Sequence, residues 1–417
     1  MREMKDSGIS WVGEIPKEWS VNRAKYCFVN TKEIAGCMSD RYERLALTMN
    51  GVIKRSKDDS NGLQPEKFET YQILRPDELV FKLIDLQNVS TSRVGLSPYL
   101  GLVSPAYIIL KSNKRVLPAF AEKYFLMLWK NQIFNALGDA GVRSNLNSKD
   151  LLELSIPFPT FDEQQQIADF LDRECGKIDG LKADIQAQID TLEQYKRSVI
   201  TEAVTHGLNP SAPMKDSGIP WVGQFPTHWT KKKGKYILRY MSKPVKQDDG
   251  VITCFRDGEV TLRSNRREDG FTMADKEIGY QGVDVGDLVV HGMDGFAGAI
   301  GISDSRGKAS PVLNVLNTKQ NKKYIMYYLR SMAYGEVFTA LSTGIRVRSC
   351  DLRWNKLAEL LYPLPPIDEQ NNIVSYIDNQ IARTNEIIAD KKSQIETLDG
   401  YKKSLIYEYV TGKKEVV

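Results

Sequence analysis

Apolar residues return at every seventh position along one stretch of the chain: Leu171, Ile178, Ile185, Leu192 and Val199. Leu181 and Tyr195 fall on the neighbouring positions three residues further on. This spacing predicts a long helix carrying a coiled-coil seam, interrupted at Glu174 and Gln188. A second stretch has similar spacing, through Ile377, Ile381, Ile388, Ile395, Leu398 and Leu405. Proline is absent between Asp162 and Thr205 and between Asp368 and Thr411. Asp162 and Asp368 stand where N-caps belong, each followed by a glutamate suited to the positive end of a helix. About 43 residues at a rise of 1.5 Å would make rods of roughly 65 Å. "THGLNPSAP" after the first stretch reads as a break or linker.

Elsewhere the pattern changes. "ELVFKLI" at Glu78 and "AYIIL" at Ala106 predict strands, and Pro118 opens a helix expected to run to about Leu137. "DLVVHG" at Asp287 and "NVLNT" at Asn314 predict strands in the second half, with a helix from Lys322 to Leu341. Two mixed α and β blocks thus alternate with two helices.

The halves share more than pattern. "MKDSGISWVGEIPKEW" from Met4 returns as "MKDSGIPWVGQFPTHW" from Met214, identical at 11 of 16 positions. "PFPTFDEQQQIADFLD" from Pro157 is answered by "YPLPPIDEQNNIVSYID" from Tyr362, and "IDTLEQYKRSVITEAVT" at Ile189 by "IETLDGYKKSLIYEYVT" at Ile395. An offset near 206 is too long for a solenoid repeat and describes a whole domain with its connector, duplicated and fused. Outside the matching helices the two blocks differ widely, so the scaffold is repeated and its cargo varies.

Charge follows the same division. Residues 21–150 hold 19 basic and 13 acidic side chains, residues 231–361 hold 22 and 15, and the remainder is acidic by nine. Two modestly basic blocks suit a polyanionic partner without requiring one. The five cysteines are scattered and never form C-x-x-C, which fits a reducing cytoplasm and argues against a disulfide framework or a zinc site. No apolar run is long enough to span a bilayer.

Catalytic motifs are missing. "GISDSRGKAS" lacks the spacing of a phosphate-binding loop. "DGFAGAIG" from Asp294 has the flavour of a nucleotide or adenosylmethionine loop, but no helix follows it, so a glycine-rich strand–turn–strand is the better account. His206, His228 and His291 show no metal spacing and no nucleophile partner. Binding signals are stronger. Each block ends in an arginine-bearing loop, which places Arg143, Asn145, Arg346 and Arg348 as candidates for base edges or phosphates. Lys54, Arg55, Lys57 and Arg93 in the first block, and Arg256, Arg263, Arg266 and Arg267 in the second, extend the set. Any one of these could equally be an ordinary surface charge.

"KDSGIxWVGxxPxxW" before a variable block, "P-x-P-x-x-(D)EQ" opening a long helix and "YKxSxI…VT" closing it, all twice, resemble the specificity subunit of Type I restriction–modification systems. Pro159-Thr160-Phe161 and "VTHG" depart from the family's pattern at a helix start and a helix end. The resemblance implies an α+β fold of two target recognition domains separated by two long antiparallel coiled-coil helices with internal pseudo-two-fold duplication. The divisions are an N-terminal segment (1–20), a first recognition domain (21–160), a central helix (161–210), a linker with the repeated signature (211–230), a second recognition domain (231–365) and a distal helix (366–417). It implies a non-catalytic reader of double-stranded DNA, with two modification (methyltransferase) subunits and restriction (motor–nuclease) subunits as partners. Adenosylmethionine, ATP and magnesium are expected on those partners, and no cofactor on this chain. Trp11, Trp221, Asp162, Gln164, Asp368 and Gln370 are the expected docking residues, while Trp19 and Trp229 favour packing within the chain. The alternative is a coiled-coil adaptor that binds only proteins.

Overall fold

A computed structural model describes residues 2–59, 67–84, 86, 92–137, 145–266, 277–341 and 352–416. The chain divides into two compact units, one of residues 1–185 with 392–417 and the other of residues 186–391. Two long helices, Phe161–His206 and Ile367–Val410, contribute to both. They are called the central and distal helices below.

In the first unit a short hairpin pairs Met4–Asp6 with Glu14–Pro16, and the strand Ser20–Arg23 pairs with Ser155–Phe158. A four-stranded antiparallel sheet runs in the order Phe28–Thr31, Ile108–Ser112, Leu79–Phe81, Val94–Leu96. The helix Pro118–Lys130 covers it, started by a proline whose missing N–H costs nothing in a first turn. Phe81, Phe120, Tyr124 and Phe125 fill the space beneath, together with Leu405 and Val410 from the end of the distal helix. A second four-stranded sheet runs Gly51–Arg55, Arg44–Thr48, Gly101–Val103, Gln72–Leu74 and has its own apolar cluster around Leu45, Leu74 and Val80.

The second unit repeats the scaffold with the same registers. Met214 faces Pro226 across its hairpin as Met4 faces Pro16. Thr230–Lys233 pairs with Leu361–Leu364, and a four-stranded sheet runs Leu238–Tyr240, Leu313–Thr318, Leu288–His291, Ile300–Ile302. The helix Lys322–Tyr334 lies over it, with Tyr324 and Tyr328 buried and the end of the central helix packed in through Ile200 and Val204. Here the likeness stops. In place of the second four-stranded sheet stand two two-stranded ribbons, Ile252–Cys254 with Val260–Leu262 and Gln281–Val283 with Gly307–Ala309.

Three expectations are corrected. The helix from Pro118 ends at Lys130, and that from Lys322 ends at Tyr334, before short helices Ile133–Leu137 and Val337–Ala340. Gln132 (φ 61°) and Glu336 (φ 55°) adopt the left-handed conformation, which a continuing helix does not allow. Asp162 and Asp368 are not N-caps but lie inside the first turns, because the helices begin at Phe161 and Ile367. The Thr160 hydroxyl accepts from the Glu163 N–H instead, at 3.4 Å.

The seam also has a different register. Leu181 and Tyr195 are 53% and 47% exposed, so they lie off it. The second set of seam positions falls four residues after the first, at Cys175, Lys182, Ile189, Lys196 and Ala203, all buried or half-buried. The distal helix follows the same rule through Ile377, Ile381, Thr384, Ile388, Lys391, Ile395, Leu398, Lys402 and Leu405. Charged and polar partners fix the pairing. In the first unit Lys182 meets Asp399 at 2.5 Å and Lys402 meets Asp179 at 2.6 Å. In the second Lys196 donates to Asn385 at 2.8 Å and Lys391 to Gln188 at 2.5 Å. Numbers rise on one helix as they fall on the other, so the helices run antiparallel within each unit.

Candidate nucleic-acid interface

The basic side chains of the first unit sit on and beside an edge strand. Gly51–Arg55 is the outermost strand of its sheet, and alternation sends Lys54 and Arg55 to opposite faces. Lys54 pairs with Glu43 at 2.6 Å, which raises its pKa, and its ammonium stands 5.4 Å from the Tyr99 ring. Arg55 pairs with Asp59 at 2.7 Å. Lys57 donates to the Ser39 carbonyl at 2.8 Å and lies over Phe68. Asn145 is exposed just before the capping box in which Asn147 and Asp150 start the helix Ser148–Glu153. Arg93 is a correction. It is fully buried, so its guanidinium belongs to the interior of the domain and cannot meet a duplex at the surface. Arg143 lies outside the described residues, as do Arg267, Arg346 and Arg348.

In the second unit the ribbon of Ile252–Cys254 and Val260–Leu262 carries the arginines. Arg266 is engaged by Asp257 at 2.6 Å and Glu259 at 2.9 Å, which raise its pKa, and its guanidinium stacks 4.1 Å from the Phe255 ring centre. Arg263 points its Nε at the Thr253 hydroxyl, 3.5 Å away. Arg256, at the turn, makes one bond to Asp294 at 2.9 Å and remains 64% exposed. These groups line an open recess of about 750 Å³. His291 and Asp294 belong to the same recess and were not singled out as binding residues by sequence. Only the glycine-rich "DGFAGAIG" pointed to this turn, and it is indeed a strand–turn–strand, Leu288–His291 returning as Ile300–Ile302.

The docking candidates divide by burial. Trp11 donates to the Tyr124 hydroxyl at 3.2 Å, and Trp221 to Tyr328 at 2.9 Å. Both indoles are half-buried, with part of each ring at the surface. Trp19 and Trp229 are fully buried, and their indole N–H groups donate to Glu163 at 2.9 Å and Glu369 at 3.0 Å. Gln164 and Gln370 face inward instead of towards a partner. Gln164 accepts from the Leu117 N–H and donates to the Pro159 carbonyl, while Gln370 accepts from the Asn321 N–H and donates to the Pro365 carbonyl. Each ties the first turn of its long helix to the helix of the adjacent sheet. Asp162 and Asp368 are exposed. Among the described residues no three His, Cys, Asp or Glu side chains converge on a metal position, and no helix is long and apolar enough to cross a membrane.

The repeated phrase is therefore a clasp. In the first unit it joins the start of the central helix, through Trp19 and Glu163, to the end of the distal helix, where Tyr407 and Lys413 both donate to the Val12 carbonyl. In the second it joins the start of the distal helix, through Trp229 and Glu369, to the end of the central helix, where Gly207 lies against Trp229.

One scaffold carried twice, bearing two unlike sets of basic side chains, defines a modular binding protein. Residues 84–191 match the model of the Type I restriction modification DNA specificity domain. The chain is 22% identical to a putative type I restriction enzyme MjaX specificity subunit of Methanocaldococcus jannaschii, over 97% of this chain and 96% of that one. It shares its fold, with a TM-score of 0.66 at 11% identity, with a chain from a structure described as the structural basis of complex assembly and conformational transition of the type I R-M system, covering 96% of this chain and 99% of that one. The chain thus resembles Type I restriction–modification specificity subunits, by a family model over part of its length and by a relative along nearly all of it.

Proposed function

We propose that each unit reads one half of an asymmetric, bipartite DNA target, and that the two long helices set the spacer between the halves and dock the modification subunits. One observation carries this reading: the clasp, the covering helix and one sheet are repeated with the same registers, while the sheets bearing the basic side chains differ. A repeated frame suits a partner bound twice, and unlike readers suit unlike half-sites. Lysine and arginine side chains attract the duplex by displacing counterions, and a few polar groups discriminate bases. Half-sites on one face of the duplex would lie about 34 Å apart, one helical turn.

The partner surface has candidates beside Trp11 and Trp221. In the first unit Leu181 and Tyr401 are both exposed, each next to a seam lysine of the ion-paired helices; in the second unit Tyr195 and Ile387 stand in the equivalent places. The offset of 206 relates Leu181 to Ile387 and Tyr195 to Tyr401, so the same apolar patch occurs once per unit. Methyl transfer and cleavage fall to partner subunits that carry adenosylmethionine, ATP and magnesium, with this chain non-catalytic and acting in the cytoplasm.

Retention of the full chain on duplex DNA at increasing salt tests the reading. A linear fall of log affinity against log salt, with a slope of several charges, is expected. Retention only on partner proteins would favour the adaptor instead.

A further inference from the structure

We propose that Arg256 and Asp294 together read a single G·C base pair of the second unit's half-site, guanine O6 and N7 accepting from Arg256 and cytosine N4 donating to Asp294. This rests on the DNA-specificity reading above and names one contact within it.

The two side chains sit on separate turns that the fold locks against each other. Arg256 belongs to the turn of the ribbon at Phe255–Gly258, closed by the Gly258 N–H donating to the Phe255 carbonyl at 2.9 Å. Asp294 opens the turn that ends at Gly298, which takes φ 97°. A Cβ on Gly298 would stand 2.7 Å from the Arg256 carbonyl oxygen, so the turns approach as closely as a glycine permits. His291 positions the second turn: its Nδ1 accepts from the N–H groups of Met293 (3.2 Å) and Asp294 (2.9 Å). That imidazole is largely buried, and burial lowers its pKa, in keeping with a neutral ring that can accept. Preorganisation of this kind is what a reader needs, because little ordering remains to be done on binding.

The chemistry of the recess selects a base edge over a phosphate. A phosphate site calls for donors alone, yet Asp294 and Asp257 line the same opening as Arg256 and would repel a phosphate. Arg266 is committed to Asp257 and Glu259, whereas Arg256 is exposed and bonded to Asp294 only through Nη2 and Oδ1. Further guanidinium donors and carboxylate acceptors thus lie side by side. Guanidinium is donor-only and carboxylate acceptor-only. In the major groove a G·C pair offers two acceptors on one base and an amino donor on the other, which matches that juxtaposition; adenine's acceptor next to a donor suits an amide instead.

The test is selection of bound duplexes from a randomised pool by the full chain with its partner subunits, comparing wild type, Arg256→Ala and Asp294→Asn. Asp294→Asn preserves side-chain shape, so it guards against a fold defect in the alanine variant. The wild type is expected to prefer G·C at one position by roughly ten- to a hundredfold, and both variants to relax that position alone. A target unchanged in both variants, or affinity lost equally at every position, overturns the assignment while leaving the DNA-specificity reading intact. A wild type that selects no sequence overturns both.

Discussion

The indole N–H of Trp19 donates to the Glu163 carboxylate at 2.9 Å, joining the opening phrase of the chain to the first turn of the central helix 144 residues later. Glu163 also binds the Arg2 guanidinium. Glu369 occupies the same position in the second unit, accepting from Trp229 and, at 2.7 Å, from His228. A carboxylate near a helix N-terminus is favoured by the exposed N–H groups there, so the bond uses a site the helix already supplies. Phenylalanine at position 19 keeps most of the apolar burial and loses this bond. Trp19→Phe is expected to lower stability by about 1–3 kcal/mol, read by denaturant melting of the full chain.

The helix ends give a second expectation. Gly412 takes φ 70°, and a Cβ there would collide with Pro16 and stand 2.9 Å from Trp19. Gly207, at φ 78°, would bring a Cβ within 3.2 Å of Trp229. The "VTHG" departure thus still delivers a left-handed glycine to the clasp. Gly412→Ala and Gly207→Ala should each cost more than about 1 kcal/mol in denaturant melts, and Gly412→Ala the more of the two because its contact is tighter. Unchanged melts in both would contradict the clasp.

Exposed apolar pairs outside the seam predict a loss of assembly without a loss of fold. Tyr195→Asp and Tyr401→Asp together should leave the melting of the isolated chain within about 0.5 kcal/mol, as surface changes generally do. Copurification with the modification subunits should fall. Full retention of partner binding would remove the Leu181–Tyr401 and Tyr195–Ile387 patches as docking surfaces.

Acid should loosen the second unit at a defined place. Lys243 and Arg306 hydrogen-bond to Asp284 and lower its pKa to about 2 from an ordinary 3.8. A depressed carboxylate pKa contributes stability above the unfolded value, and that contribution fades as pH falls from about 4 towards 2. Melting wild type beside Asp284→Asn from pH 5 downwards should show a difference that shrinks through this window. A constant difference would exclude Asp284 as its source.

Periodicity revealed the helices, because forty residues without proline and with recurring isoleucine and leucine have few other fates. It misjudged the seam. Leu181 and Tyr195 are apolar yet exposed, whereas Lys182 and Lys196 are charged yet line the interface. A lysine stem can lie along apolar surface with its ammonium on Asp399 or Asn385, and those partners lie some 190 to 220 residues away in sequence. The repeat exposed the duplicated scaffold but not the purpose of the glutamine in "DEQ", since an amide that bridges two helix starts resembles one on a surface. Arg93 failed for the opposite reason: a single arginine in "STSRVGL" carries no sign of its burial. The roles proposed for His291 and Asp294 were hidden because they depend on a turn meeting Arg256 from another ribbon.

The most direct test of two unlike readers on a repeated frame is the target sequence itself, mapped from duplexes bound by the assembled complex. The account predicts two different blocks of specified bases separated by an unspecified spacer of fixed length, with one helical turn inserted after Gln188 changing the spacer and neither block. A single continuous block, a palindrome, or half-sites rewritten by that insertion would contradict it.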